Sequence, residues 1–283
     1  MDAANPPRLG SVPMTFSVVA RSGDAYGIAV ASKFLGVGAA VPAAEAGVGA
    51  LATQALANLA YRPQGLALLR TGVAPADVVA GLTAADPERA HRQLGVVGPE
   101  GDGATYTGEE CLDWAGGASG PGYAIQGNIL TGPEVVEAME RTWLAGAELP
   151  FAERLVATLA AGDEAGGDSR GRQSAALWIA EDGAGLGAPG GISHDLRVDD
   201  HPAPVTELRR LLAIHDTLFG TPDPAALLDL TGELAAEVAT LVATTGYTTL
   251  DQWAGVENLE ARLVPGRIDP LVLAHLRAVT KNG

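Results

Sequence analysis

Apolar positions in the first half of this chain alternate in short runs, and later they recur at helical spacing. TFSVVAR, a Ser-Gly-Asp turn and YGIAVAS are two Val- and Ile-rich runs divided by turn formers, which predicts a β-hairpin beginning at Thr15. AGVGALATQA reads as a third buried strand ending near Gln54 and leading into helix, and YRPQGLALLRTG spaces Leu66, Leu69 and Arg70 as an amphipathic helix does. Pro75 opens another helix in PADVVAGLTAAD. HRQLGVVGPEGDGATYTG predicts a second hairpin with Pro99 to Gly103 as its turn, and GYAIQGN a further strand. PEVVEAMERTWLAG and PFAERLVATLAAG each begin at proline and end at glycine, the asymmetry of helix ends. A Gly-rich loop precedes the strand SAALWIAE, and DLRVDDHPAPVTELRRLL runs from strand into helix with Asp199 or Asp200 near the cap.

Strands, a helix pair, strands and a second helix pair, in that order, predict an α+β fold: antiparallel sheets in a sandwich with helices layered outside. Strands that come in hairpins argue against a doubly wound parallel sheet. From about residue 216 the pattern is almost wholly helical, in TPDPAALLDLTGELAAEVATLVATTGY and IDPLVLAHLRAVT. A main domain over 15–215 and a small all-α domain over 216–283 are therefore expected. Residues 1–14 are rich in Pro, Gly and Asn without period, and read as a flexible leader or a mis-annotated start.

Composition narrows the chemistry more than the fold. The 283 residues are 47% hydrophobic and 18% charged, which suits a globular core. A formal charge of -16 disfavours nucleic acid and anionic membrane partners, because both are bound by basic surfaces. Cys111 is the only cysteine, so an internal disulfide and a multi-thiolate metal site are excluded. His91, His194, His201, His215 and His275 are scattered without ligand spacing, and neither a metal nor a cofactor is expected. The first residues lack a basic start followed by an apolar run, and no apolar run reaches the ~20 residues of a membrane span, so a cytoplasmic protein is expected. Frequent Ala, Gly and Pro, with Arg favoured over Lys, suggest a bacterial gene.

Thr15 stands where the leader meets the first strand, and Met14 before a small residue is a favourable context for removing an initiator. An N-terminal threonine carries a nucleophilic hydroxyl and, in its α-amine of reference pKa near 7.7 to 8.0, a base on the same residue. Equally, a β-branched residue is ordinary at the start of a strand.

MTFSVVAR, GIAVASKF, GVGALATQA, GPGYAIQGNIL, GGDSRGRQSAAL and DLRVDDHP together resemble the bacterial family known as domain of unknown function 1028. The resemblance implies the N-terminal-nucleophile (Ntn) hydrolase superfamily, a four-layer αββα sandwich shared with proteasome subunits, followed by a peptidoglycan-binding-like helical domain that GYTTLDQWAG and RIDPLVLAHLR match loosely. It places Thr15 at the nucleophile position. Ser32 and Lys33 fall where proteasome-like relatives keep an Asp followed by Ser-Arg, so that acid is missing here. Lys33 either lowers the pKa of Thr15 through its positive charge or is an ordinary solvated strand end.

The polar segment Gly166 to Ser174 offers further candidates. Asp168 orients the α-amine while Arg170 or Arg172, with Gln173 and Ser174 beside them, binds a substrate carboxylate or ureide; alternatively Asp168 and an arginine form a structural ion pair. Asn128 either donates to an oxyanion or serves turn chemistry. Thr53, Gln54 and Asn58 either line the cleft or cap the following helix. The expected activity is an amidohydrolase acting on a C-N bond of a small molecule, in a chain that forms a homo-oligomer. The rivals are a non-catalytic scaffold whose C-terminal helices bind a glycan or protein, and a self-processing subunit of a larger ring.

Overall fold

The computed structural model describes residues 15–183 and 191–281; the expected leader over 1–14 lies outside them. The chain divides into two compact units, Met1–Arg209 and Arg210–Gly283. The division falls within a helix, ahead of the residue-216 start expected from the apolar pattern.

In the first unit β1 (Thr15–Ser22) and β2 (Ala25–Ser32) form the opening hairpin. A short helix α1 (Val37–Ala40) leads to β3 (Pro42–Glu45) and β4 (Gly49–Ala55), followed by the helix pair α2 (Tyr61–Arg70) and α3 (Pro75–Ala84). Next come β5 (Arg92–Val97), β6 (Ala104–Thr107), β7 (Gly116–Gly120) and β8 (Tyr123–Gly127). The second helix pair is α4 (Glu134–Ala145) and α5 (Phe151–Glu164), and β9 (Ser174–Ala180) and β10 (Ile192–Val198) precede α6 (Pro204–Phe219).

The strands assemble into a six-stranded sheet, β10-β9-β2-β1-β8-β7, and a four-stranded sheet, β3-β4-β5-β6, and every described pairing is antiparallel. The sheets face one another, with α2 and α3 against the smaller and α4 and α5 against the larger. Period-2 alternation sends Val19, Ile28 and Val30 of one sheet and Ala50, Ala52 and Val97 of the other into a shared apolar core. Leu51, Leu94 and Val96 point the opposite way, onto Tyr61, Leu69 and Leu82 of the helices. Gly27 lets α5 sit close on β2, since a Cβ there would lie 2.5 Å from Leu155 Cδ1.

Three elements differ from the pattern-based reading. β7, with the sequence GGASG, has no strand propensity of its own and exists as an edge strand paired along β8. β3 is an additional strand ahead of AGVGALATQA, the stretch that reads as the third strand and forms β4 alone, and Asn58, not Thr53 or Gln54, makes the turn into α2 by accepting the Ala60 N–H at 3.1 Å. At the start of α6 it is His201 Nδ1 that accepts a backbone N–H, from Ala203 at 3.0 Å, because Asp200 is engaged by Gln173 Nε2 at 3.1 Å.

The second unit comprises the C-terminal part of α6, a two-residue ribbon of β11 (Leu228–Asp229) with β12 (Arg267–Ile268), and the helices α7 (Gly232–Thr244), α8 (Leu250–Val256) and α9 (Pro270–Lys281). Val238, Val242, Trp253, Leu259, Val272 and Leu276 form its core. Buried Arg262 pairs with Asp269 at 2.7 Å and donates to the Asp216 and Thr217 carbonyls. No helix among the described residues is long and apolar enough to cross a membrane.

Candidate functional site

Antiparallel register sets three hydroxyl residues side by side across the larger sheet: Thr15 at the start of β1 opposes Ser32 at the end of β2, which opposes Ser174 at the start of β9. All three are buried. Thr15 Oγ1 donates to Ser32 Oγ at 3.2 Å. Ser174 belongs to the scaffold instead: its Oγ accepts the Val37 N–H at 3.1 Å and donates to the Phe34 carbonyl.

The alternation that sends Val19 inward also sends Ser17 and Thr15 inward, so the space between the sheets is apolar at one end and polar at the other. At the polar end the chain concentrates fully buried carboxamides. Ser17 Oγ donates to Gln54 Oε1 and accepts from Gln126 Nε2, both at 2.7 Å. Gln93 bridges the sheets: its Oε1 accepts from Gln54 Nε2 and Asn128 Nδ2, each at 2.8 Å, and its Nε2 donates to the Gly127 carbonyl at 2.7 Å.

The Thr15 carbonyl is held from three sides, by Gln54 Nε2 at 3.1 Å, the Asn128 backbone N–H at 3.1 Å and Asn128 Nδ2 at 3.4 Å. Gln54 and Asn128 thus act on Thr15 itself. Directly after each comes a residue with left-handed backbone, Ala55 at φ 64° and Ile129 at φ 49°. Such a conformation is costly for a β-branched side chain and is concentrated at functional sites.

Asp168 lies in the Gly-rich loop with its carboxylate almost wholly buried. Oδ2 accepts the Lys33 backbone N–H at 2.9 Å, Oδ1 accepts the Arg170 N–H at 3.0 Å, and the Arg170 guanidinium spans both oxygens at 3.1 and 2.8 Å. The segment therefore forms a bidentate ion pair that also ties the loop to the end of β2. Lys33 Nζ donates to the Arg172 carbonyl at 3.2 Å. Arg172 pairs with Asp163 at 2.7 Å, and that hydrogen bond pushes the guanidinium pKa further up. Gln173 Nε2 donates to Asp200 Oδ1 at 3.1 Å.

A cleft of about 60 Å³, room for a few water molecules, opens beside these residues and is lined by Phe16, Ser32, Asp163, Asp168, Gly171 and Arg172 among others. It reaches Ser32. Thr15 sits one hydrogen bond further in.

The structure thus joins Thr15 to Ser32, Gln54 and Asn128 in one network, and Lys33 to Asp168, Arg170 and Arg172 in another. Ser17 and Gln93 belong to the first network and were not apparent from sequence. The signal for both is positional: a polar residue two places along a strand from an inward-facing apolar one, Ser17 before Val19 and Gln93 before Gly95 and Val97.

Behind the sheets a separate buried cluster fastens α2 and the end of α3 to β5. Asp86 accepts from Tyr61 Oη, Arg92 Nε and Asn58 Nδ2 at 2.9 to 3.0 Å. Burial alone raises the Asp86 pKa, yet the hydrogen bonds led by Arg92 and Asn58 hold it well below the usual carboxylate range. Burial and the Asp86 bond push the Tyr61 phenol up.

Residues 15–208 match the family described as a family of unknown function, DUF1028. Among solved structures, the crystal structure of protein SPO2555 from Silicibacter pomeroyi, described under the same family, is 29% identical with a TM-score of 0.65. The match covers 79% of this chain and 93% of that one. No curated protein matches the chain.

Proposed function

The chain belongs to the DUF1028 family, and on that premise we propose that it is an N-terminal-nucleophile amidohydrolase acting on a C-N bond of a small molecule. In this reading the two facing sheets and their helix pairs are the four-layer αββα sandwich of Ntn hydrolases, with Thr15 as nucleophile. The observation that carries it is the position of Thr15: first residue of a central strand, its hydroxyl on Ser32 and its carbonyl fixed by three donors. A residue needed only to start a strand has no use for two buried carboxamides from other strands on its carbonyl.

The chemistry requires that the Met14–Thr15 bond be cut, because a peptide nitrogen is no base. The freed α-amine then takes the hydroxyl proton, directly or through a water, as Oγ1 attacks the amide carbon. The C-N bond breaks, the amine leaves with that proton, and water hydrolyses the ester left on Thr15. Holding the carbonyl fixes the backbone of Thr15, and the bond from Oγ1 to Ser32 fixes the side-chain torsion that relates hydroxyl to amine, which is the positional part of catalysis. Lys33, following Ser32, adds positive charge on that side.

One observation favours a second reading, a non-catalytic scaffold whose C-terminal helices bind a glycan or protein. The Asp168 carboxylate is engaged by Lys33 N and Arg170, and the Asn128 carboxamide by Thr15 O and Gln93, so neither is directed at a substrate.

Intact-mass analysis with a panel of small amides separates the two. The hydrolase reading expects a mature chain beginning at Thr15 and a loss of turnover of at least about 10³-fold in Thr15→Ala. A purified chain that keeps the Met14–Thr15 bond and still turns over amides at the same rate in Thr15→Ala refutes it.

A further inference from the structure

Beyond the small cleft lies a second concavity of about 320 Å³, lined by Asp163, Glu164, Arg172, Val205, Thr206 and Arg209 among others. That volume is at the lower end of the range of small-molecule sites. Its walls are the last turn of α5 and the first turns of α6, where Thr206 and Arg209 are one turn apart and so share a face. Asp163 and Arg172 line both hollows, so their ion pair marks the threshold between the cleft at Ser32 and the outer groove.

The charges of the groove are unequally employed. Asp163 and Arg172 neutralise one another in direct contact. Glu164 and Arg209 are exposed, and neither has a hydrogen bond or ion pair among the described residues. Asp163 and Glu164 also stand at the negative end of α5, whose last turn has no basic residue, so a cation is favoured there. One unmatched anion and one unmatched cation thus border the same space.

We propose that this groove is a substrate subsite for a zwitterionic arm, one that bears both an ammonium and a carboxylate group. Arg209, with the Thr206 hydroxyl beside it, receives the carboxylate, and Glu164 receives the ammonium. The assignment rests on the amidohydrolase reading for its chemistry: the scissile amide lies on the Ser32 side of the Arg172–Asp163 pair and the charged arm on the other. The chain then acts on the amide of an amino-acid-like molecule, releasing a carboxylic acid and an amine with water consumed.

The test uses four amides of equal length, carrying both charges, the carboxylate alone, the ammonium alone, or neither. Each is titrated calorimetrically into the full chain and into Thr15→Ala, so that binding is read apart from turnover. The zwitterion is expected to bind at least about tenfold more tightly than the neutral amide, as charge-assisted contacts imply. Arg209→Gln costs the two carboxylate-bearing amides about tenfold and leaves the ammonium-only amide unchanged; Glu164→Gln shows the converse. Both residues are exposed, and unchanged thermal unfolding confirms that the variants fold. Equal affinities across the four, binding by none, or indifference to both substitutions overturns the subsite. Charge preference with turnover surviving in Thr15→Ala refutes Thr15 as nucleophile and leaves the subsite standing. Turnover lost in Thr15→Ala without charge preference does the reverse.

Discussion

Gln93 is the residue on which the polar end of the sandwich most depends, and Gln93→Met tests that dependence. Methionine matches the length and volume of glutamine but makes no strong hydrogen bond. The side chain has four bonds at or below 2.9 Å, from Gln54 and Asn128 and to Thr107 and Gly127, in a residue with no exposed surface. At about 1 kcal/mol each the bonds contribute about 4 kcal/mol. Burying a thioether in place of an amide returns about 1 kcal/mol. The expected loss is about 3 kcal/mol, a fall of about 1 M in the urea midpoint of the first unit with little change in slope. Gln93→Glu sharpens the test, because it keeps an oxygen to accept from Gln54 and Asn128 but turns a second carboxylate oxygen onto the Gly127 carbonyl. Its folded-state pKa is expected to rise, so stability is greatest where the acid is protonated and falls as pH increases through that pKa. A loss below about 1 kcal/mol in Gln93→Met, or a Gln93→Glu variant indifferent to pH, would show that the sheets do not need this bridge.

Gly95→Ala acts on the same network from the backbone, since its Cβ would lie 2.1 Å from Gln126 Oε1, whose amide also holds Ser17. A destabilisation of about 1–3 kcal/mol is expected in urea unfolding, and unchanged stability would contradict that close approach. Asp86→Asn removes an ionised partner from buried Arg92 and should cost about 3 kcal/mol at neutral pH. Because the Asp86 pKa is depressed in the fold, its contribution is complete above the ordinary carboxylate pKa near 4 and is lost as pH falls below it. The parent and variant unfolding midpoints should therefore converge in acid, and a gap that stays constant down to about pH 2 would show that the charge of Asp86 is not what stabilises the cluster.

What could be read from sequence follows from where the determining physics is local. Helices α4 and α5 announce themselves through proline at one end and the periodic placement of Val135, Val136, Met139, Leu155 and Leu159 on a buried face. The opening hairpin is equally local, and so is the antiparallel character that hairpins impose. β7 is not, because GGASG becomes a strand only by pairing with β8 and its local preference is for turns. The same division runs through the site. Thr15 becomes a candidate through its place where the leader meets the first strand and, with Lys33, through resemblance across many segments; Asp168 and Arg170 become candidates through their closeness in one polar segment.

Ser17 and Gln93 escaped because a polar residue in a strand ordinarily marks the solvent face. In a sandwich with both faces covered, no such face exists along β1 or β5, and alternation distinguishes the helix side from the sheet side instead. A polar residue on the sheet side is costly unless it is matched from the opposite sheet, so such residues must occur together or not at all. Ser17, Gln54, Gln93, Gln126 and Asn128 come from four strand segments, and each is matched by at least one of the others. The apolar packing of Val19 and Ala52 therefore gives way as a unit at this end of the sheets, where two of the four carboxamides, those of Gln54 and Asn128, meet on the carbonyl of Thr15, an arrangement for which the proposed role of Thr15 as nucleophile accounts.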